Sequence, residues 1–326
     1  MKKLFLFLCL FPLLSFWAFA KSAPMPAWVT ECRTAFPDSE YIAQRGSGDS
    51  AEKAITDASA ALARYFQMTV NANISTTMTD EKTTVVDEVQ VKSDVDLFGM
   101  QFTEPYHYKK DKKWYAVAYI KRSDAWTQYK PKVDQNSRTF AGKYKKIEEE
   151  KDPFLRIALC RNAWEAAMEL LPKLEYARII SPKDEATYQP VRDRIAGIPV
   201  LMDAAKGSCT IYLDCPNDYN NMLASAVSTA FTRSGMTVSK NKAMANYICT
   251  VDVDDNAAGS DPLTISPAAS IRIADKNGRA VYAHECAAGE KTVSYTLENA
   301  KKKGYPKFAK DVERSLSDDL NTILMK

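Results

Sequence analysis

The chain has 326 residues, seven cysteines and a formal net charge of +3. Its 44 lysines and arginines nearly balance its 41 aspartates and glutamates, which leaves no electrostatic footprint for nucleic acid. The length is enough for two domains or more.

Lys2 and Lys3 precede an uncharged apolar run, Leu4 to Phe19, and Ala18-Phe19-Ala20 puts small residues at the positions a leader peptidase reads. This is the pattern of a signal peptide over residues 1–20, with cleavage before Lys21. The run is shorter than the roughly 20 residues of a spanning helix, and Pro12 interrupts it. No later stretch is apolar enough to span a bilayer, so no transmembrane segment is expected after cleavage. Cys9 lies too early in the run to serve as a lipid-attachment site. The expected location is the periplasm, free or peripheral to the outer membrane. Loss of Lys2 and Lys3 brings the formal charge to +1.

Residues 21–122 read as an α+β domain of β-α-β-β-β order. Tyr41-Ile42-Ala43 is a short strand ending at Gly46-Ser47-Gly48. Ser50 is a good N-cap, and Ala51, Ala54, Ile55, Ala58, Ala61, Leu62 and Tyr65 recur at helical spacing behind it. From Gln67 the period changes. Met68, Val70, Ala72 and Ile74 alternate with polar residues to Ser75, which predicts a half-buried strand. Val85 to Val95 is β-rich, and Trp114 to Ile120 is a strong strand. Alternating strands beside one helix imply an antiparallel sheet with a helix on one face. The cluster Lys109-Lys110-Asp111-Lys112-Lys113 reads as a solvated turn.

Residues 123–206 carry few β signals. Ala125 to Glu150, Asp152 to Ile180 and Asp184 to Ala205 read as helices, with Asp152-Pro153 and Ser181-Pro182 as start signals and a kink expected at Pro172. They form either a projecting arm or a helical layer on a domain.

Residues 207–326 read as a second α+β domain of β-α-β-β-β-α order. Cys209 to Leu213 is a strand, and Asn217 opens a helix that ends at Gly235 as its C′ residue. Tyr247 to Val253 is the next strand. Ser270 to Ala274 and Ala280 to Ala283 flank Asn277-Gly278, a hairpin signal. The last helix buries Phe308, Val312, Leu316, Leu320 and Ile323.

Without Cys9, six cysteines remain: Cys32, Cys160, Cys209, Cys215, Cys249 and Cys286. An even number in an exported chain permits disulfides, in fifteen pairings. Cys249 and Cys286, both on expected strands of one domain, are the candidate pair. The alternative for some of the six is a free, buried thiol.

No motif carries a catalytic, cofactor or metal assignment. Gly46-x-Gly48-x-x-Ala51 fits the dinucleotide fingerprint in outline, but the strand expected after its helix is half polar and offers asparagines where an acid is needed. The glycines instead suit a tight strand-to-helix turn. Asp252-x-Asp254-x-Asn256 has Ala257 where a calcium loop needs glycine, and Leu263 where it needs glutamate. His107 and His284 are the only histidines, so general bases are scarce.

Pro26-Ala27-Trp28-Val29, Tyr41-Ile42-Ala43 with Gly46-Ser47-Gly48, the helix from Ser50, and Trp114 to Arg122 together resemble the lipoprotein-twenty family of bacterial envelope proteins, which includes flagellar assembly protein P. Cys209 to Leu213, the helix ending Ser234-Gly235-Met236, and Ala245-Asn246-Tyr247 are similar to the N-terminal domain of the periplasmic protein TolB. The resemblance implies a non-catalytic structural or assembly component of a flagellar or outer-membrane-associated complex, with protein partners in the envelope or self-association. A binding adaptor and an unrecognised hydrolase are the rivals.

Trp114, Ala116, Ala118 and Ile120 lie on one face of their strand, and Tyr115, Val117 and Tyr119 on the other. Only one face can cover the helix. The other needs cover from the central helices or another subunit, which makes Tyr115 and Tyr119 the interaction candidates. N-terminal sequencing of the protein recovered from a periplasmic extract should begin at Lys21; a chain still starting at Met1 would refute the leader.

Overall fold

The structure is a computed structural model that describes residues 25–78 and 99–325. By backbone contact these form two compact units. One holds residues 25–62 and 100–119, the other 63–78, 99 and 120–325. Both mix helix and sheet. Among the described residues, no helix is long and apolar enough to cross a membrane.

In the first unit, two single-turn helices, α1 (Ala27–Thr30) and α2 (Cys32–Ala35), lead to strand β1 (Tyr41–Gly48) and helix α3 (Ala51–Met78). Strands β2 (Gln101–Phe102), β3 (Tyr106–Tyr108) and β4 (Lys113–Lys121) complete the sheet. β4 is central. β1 flanks one side, and β2 and β3 pair antiparallel with the other. Ser50 caps α3 as expected, its Oγ accepting from the Lys53 amide at 3.2 Å. Lys109 to Lys112 forms the turn between β3 and β4, and Lys113 opens β4.

Gly46 is explained by contact, not by a turn. A Cβ on it would lie 2.1 Å from the Ala58 nitrogen and 2.6 Å from the Ala54 carbonyl oxygen. The strand therefore touches the backbone of α3, with Ala54 and Ala58 fully buried beneath it.

The strand expected at Gln67–Ser75 is helix. α3 continues to Met78, and its buried residues Ala54, Ala58, Leu62, Phe66, Val70 and Ile74 recur every fourth position. Val70 and Ile74 satisfy both a period of two and a spacing of four. Met68, 71% exposed, and Ala72, also exposed, decide for the helix. With neither Gly nor Pro between Ala51 and Met78, extending a formed helix costs less than nucleating a strand. The run expected at Val85 to Val95 lies outside the described residues.

The central segment forms α4 (Arg122–Glu149), α5 (Pro153–Ile180) and α6 (Glu185–Ser208), with α5 packed between the other two. α5 runs through Pro172 as one element. Glu175 is buried and ion-paired with Arg192 of α6, and Arg178 Nε stands 3.2 Å from its other oxygen. This pair had no sequence signal, because Glu175 interrupts an apolar run without breaking its period.

The remaining elements are β5 (Thr210–Asp214), α7 (Met222–Arg233), β6 (Thr237–Ser239), β7 (Tyr247–Asp254), β8 (Leu263–Ile265), β9 (Ala268–Asp275), β10 (Ala280–Cys286), β11 (Thr292–Ser294) and α8 (Leu297–Met325). The main sheet runs β10-β9-β7-β5-β6, parallel about β5 and antiparallel elsewhere. β8 and β11 form a separate two-stranded ribbon. The three short strands β6, β8 and β11 add to the expected order. Gly235, at φ +84°, ends α7 as its C′ residue, and Gly278, at φ +82°, turns the β9–β10 hairpin.

The core of this unit joins sheet residues Ile211, Cys249, Val251, Ile271 and Ile273 to α7, α8 and the first turns of α5, through Phe154 and Ile157. The central helices are therefore joined to this core at one end, through the start of α5 and, with Met202 and Ala205, the end of α6. Asp152 fixes the joint. Its Oδ1 accepts from the Phe154 and Leu155 amides at 2.9 and 3.1 Å and from the Tyr247 hydroxyl at 2.6 Å. Arg279 reaches its other oxygen at 3.4 Å.

A Gly46→Ala change should destabilise the protein by about 2–3 kcal/mol in urea unfolding, since backbone on both sides must move. Gly142→Ala, in α4 with open space around the new methyl, should instead stabilise by about 0.5–1 kcal/mol.

Candidate functional site

Tyr115 and Tyr119 lie on the β4 face opposite α3, as alternation requires, and each is half-buried. The first unit's own chain supplies part of their cover. Phe36 packs on Tyr119 with ring centroids 4.5 Å apart and meets Tyr41 edge-on at 5.5 Å. Arg45 lies 5.3 Å over the Tyr115 ring and donates to the Val29 carbonyl. Tyr115 donates its hydroxyl to Asp111. That bond raises the phenol pKa and lowers that of the carboxylate.

The most exposed apolar side chains in sequence proximity lie elsewhere. β11 alternates strictly, with Ser294 turned inward and Val293 outward. Val293, Tyr295 and Leu297 are 53%, 81% and 43% exposed within five residues. Val293 is on the ribbon, Tyr295 in the bend after it and Leu297 at the start of α8, and the ribbon lies against α8. A Cβ on Gly304 would stand 2.9 Å from Thr292 Oγ1 and 3.6 Å from Ile265 Cδ1. Nearby, Asp255 accepts from Tyr305 at 2.6 Å and pairs with Lys301 at 2.6 Å. The outward residues are thus presented on a braced surface. Among the described strands, β11 pairs only with β8.

A third constellation was not legible in the sequence. His284 of β10 has Nε2 2.9 Å from Ser315 Oγ and Nδ1 3.5 Å from Asp319 Oδ2, both on α8. Tyr282, stacked beside the imidazole at 6.4 Å, donates to the same Asp319 oxygen. Burial first, and then that bond, raises the Tyr282 pKa. Ser315 and Asp319 stand four apart on one helical face, but nothing in the sequence ties them to a histidine thirty residues earlier. His107 is exposed and lies tilted against Trp114, with ring centroids 5.0 Å apart.

The expected disulfide is absent. All six described cysteines are free. Cys249 pairs in register with Ile273 and Cys286 with Ala269, and β9 lies between their strands. Two strand spacings and a four-residue offset separate them by on the order of 16 Å, far beyond the roughly 7 Å Cα limit of a disulfide. Asp254 accepts from the Asn256 amide at 2.9 Å, and Asn256 donates to the Ser266 carbonyl at 3.0 Å, which makes that motif a turn. Among the described residues, no group of three potential ligands could hold a metal ion.

No family model matches the chain, and no curated protein matches it. Among solved structures, a secreted protein of Helicobacter pylori is similar over 87% of this chain and 98% of its own, at 12% identity and a TM-score of 0.35. A minor lipoprotein of Acinetobacter baumannii is similar over 34% of this chain and 92% of its own, at 15% identity and a TM-score of 0.25.

Burial raises the thiol pKa values from 9.0, to about 11 for Cys160 and Cys286 and to about 12 for Cys209 and Cys215. Cys249 rises higher still. Unfolded thiols ionise near pH ~8.5 while the folded ones stay protonated, so this contribution is intact below that pH and is lost as pH climbs toward 11 or 12. Native protein at pH 8 should react with iodoacetamide slowly at these five sites, and all six should be alkylated once the unreduced protein is denatured. Mass spectrometry that finds a cystine would overturn the assignment.

Proposed function

We propose that this protein is an exported, non-catalytic component of the bacterial cell envelope that works by assembling with other proteins. The leader at residues 1–20 supports export, and the lipoprotein-twenty resemblance of residues 21–122 supports an envelope role, in a flagellar or outer-membrane-associated complex. The observation that carries the assembly reading is the run of exposed apolar side chains Val293, Tyr295 and Leu297, which starts on the open-edged strand β11 and ends at the first residue of α8. Water-exposed aromatic and aliphatic side chains at this density mark contact surfaces. Burying one such side chain on a partner is worth about 1.5–3 kcal/mol. An adjacent strand edge offers backbone hydrogen bonds that set the register of the contact.

Tyr115 and Tyr119 form a second contact candidate. Their ring faces are engaged by Arg45, Phe36 and Tyr41, so a partner there meets only their half-exposed rims.

The occupant proposed for the ribbon is an envelope protein, a second copy of this chain included. Cross-linking in intact cells, followed by a pull-down, should recover either basal-body or outer-membrane proteins, or a homo-oligomer that light scattering then sizes. Val293→Ser with Tyr295→Ser should leave the melting temperature within a few degrees and weaken that recovery at least tenfold. Unchanged recovery from the double variant would sink the ribbon assignment. A strict monomer with no envelope protein recovered would sink assembly itself.

A further inference from the structure

We propose that Ser315 is an activated nucleophile that accepts an acyl group from activated carboxylic esters, with His284 as its general base. The inference is independent of the assembly reading. Asp319 lies beside His284 Nδ1 at 3.5 Å, and its carboxylate favours the tautomer with the proton on that nitrogen. Nε2 is then an acceptor, and the Ser315 hydroxyl 2.9 Å away donates to it. This is the serine–base–orienting-acid relation that activates a hydroxyl of otherwise weak nucleophilicity. Asp319 is itself held by the Tyr282 hydroxyl, and the Tyr282 ring lies parallel to the imidazole with centroids 6.4 Å apart, so Tyr282 and Asp319 are positioning residues. His284 is 13% exposed at its side chain, and Ser315 is half-buried, so the base is largely withdrawn from water while the nucleophile stays reachable.

The step balances simply. Ser315 Oγ forms a bond to the ester carbonyl carbon, the bond to the leaving alkoxide breaks, and the serine proton passes to His284 Nε2. The imidazolium returns it to the leaving oxygen. Ser315 lies within α8, where backbone N–H groups are committed to the helix ladder. The helix thus offers no free amide of its own beside Ser315 for the developing oxyanion, and each such donor is worth about 10²–10³ in rate. The expected behaviour is therefore one slow acylation per chain, not rapid turnover.

A fluorophosphonate probe tests this on the purified protein, since serine attack on phosphorus expels fluoride by the same proton transfer. The expected result is an adduct mapped to Ser315, slowed by excess p-nitrophenyl acetate. In a His284→Asn variant that retains its near-ultraviolet dichroism, labelling should fall about 100-fold, the typical worth of a general base. Asp319→Asn should reduce it less. If the wild-type protein carries no adduct on Ser315, the proposal fails without recourse to any variant. It fails equally if His284→Asn labels Ser315 at the original rate, or if the ester does not compete.

Discussion

Asp152 carries the joint on which the larger unit depends. One carboxylate caps α5, receives the phenol of Tyr247 from β7 and pairs with Arg279 at the β9–β10 turn. An N-cap alone contributes about 0.5–2 kcal/mol. Here the same oxygen also satisfies a hydroxyl buried in the core, and leaving such a group unmade costs a further ~1–3 kcal/mol. The cap therefore does more than start a helix. It sets where α5 enters the sheet's hydrophobic core, and α5 then positions α4 and α6 through its two flanks.

Much of this architecture was legible where local signals and tertiary packing agree. Ser50, Asp152-Pro153, Gly235 and Asn277-Gly278 each name a cap or turn whose backbone chemistry admits few alternatives, and each sits where its type requires. The α+β class followed from those boundaries. The misreading at Gln67–Ser75 shows the opposite case. Val70 and Ile74 are shared by both periodicities, and β-branched residues favoured the strand until continuation of an established helix outweighed them. The packing of Phe36 over Tyr119 was invisible for a different reason. It joins residues far apart in sequence, and no pattern within either segment encodes the other. The same holds for His284 with Ser315 and for Glu175 with Arg192.

Several polar groups inside this protein are paired across elements. Glu175 bridges α5 and α6, Asp255 bridges the end of β7 to α8, and Asp319 bridges α8 to β10. Hydrophobic burial is non-directional and tolerates sliding. A buried hydroxyl or carboxylate does not, because a shift of one residue leaves it without its partner. These contacts define the register of each helix against its neighbour, and the apolar core supplies the bulk of the driving force. The buried Glu175 pair fits that role better than one of net stabilisation, since removing such charges from water offsets most of their attraction.

The unpaired thiols have a consequence for the protein's life history. In the folded chain, burial raises the pKa of all six described thiols, and four of them are fully buried, so an oxidant has little thiolate to attack. Unfolded in an oxidising medium, the same sulfurs become mobile, ionise more readily and meet one another at random. Every disulfide they form is foreign to the native geometry, and each one blocks the return path. Unfolding there is a ratchet. The protein's persistence is governed by how rarely it opens, a rate, rather than by how favourable its folded state is at equilibrium.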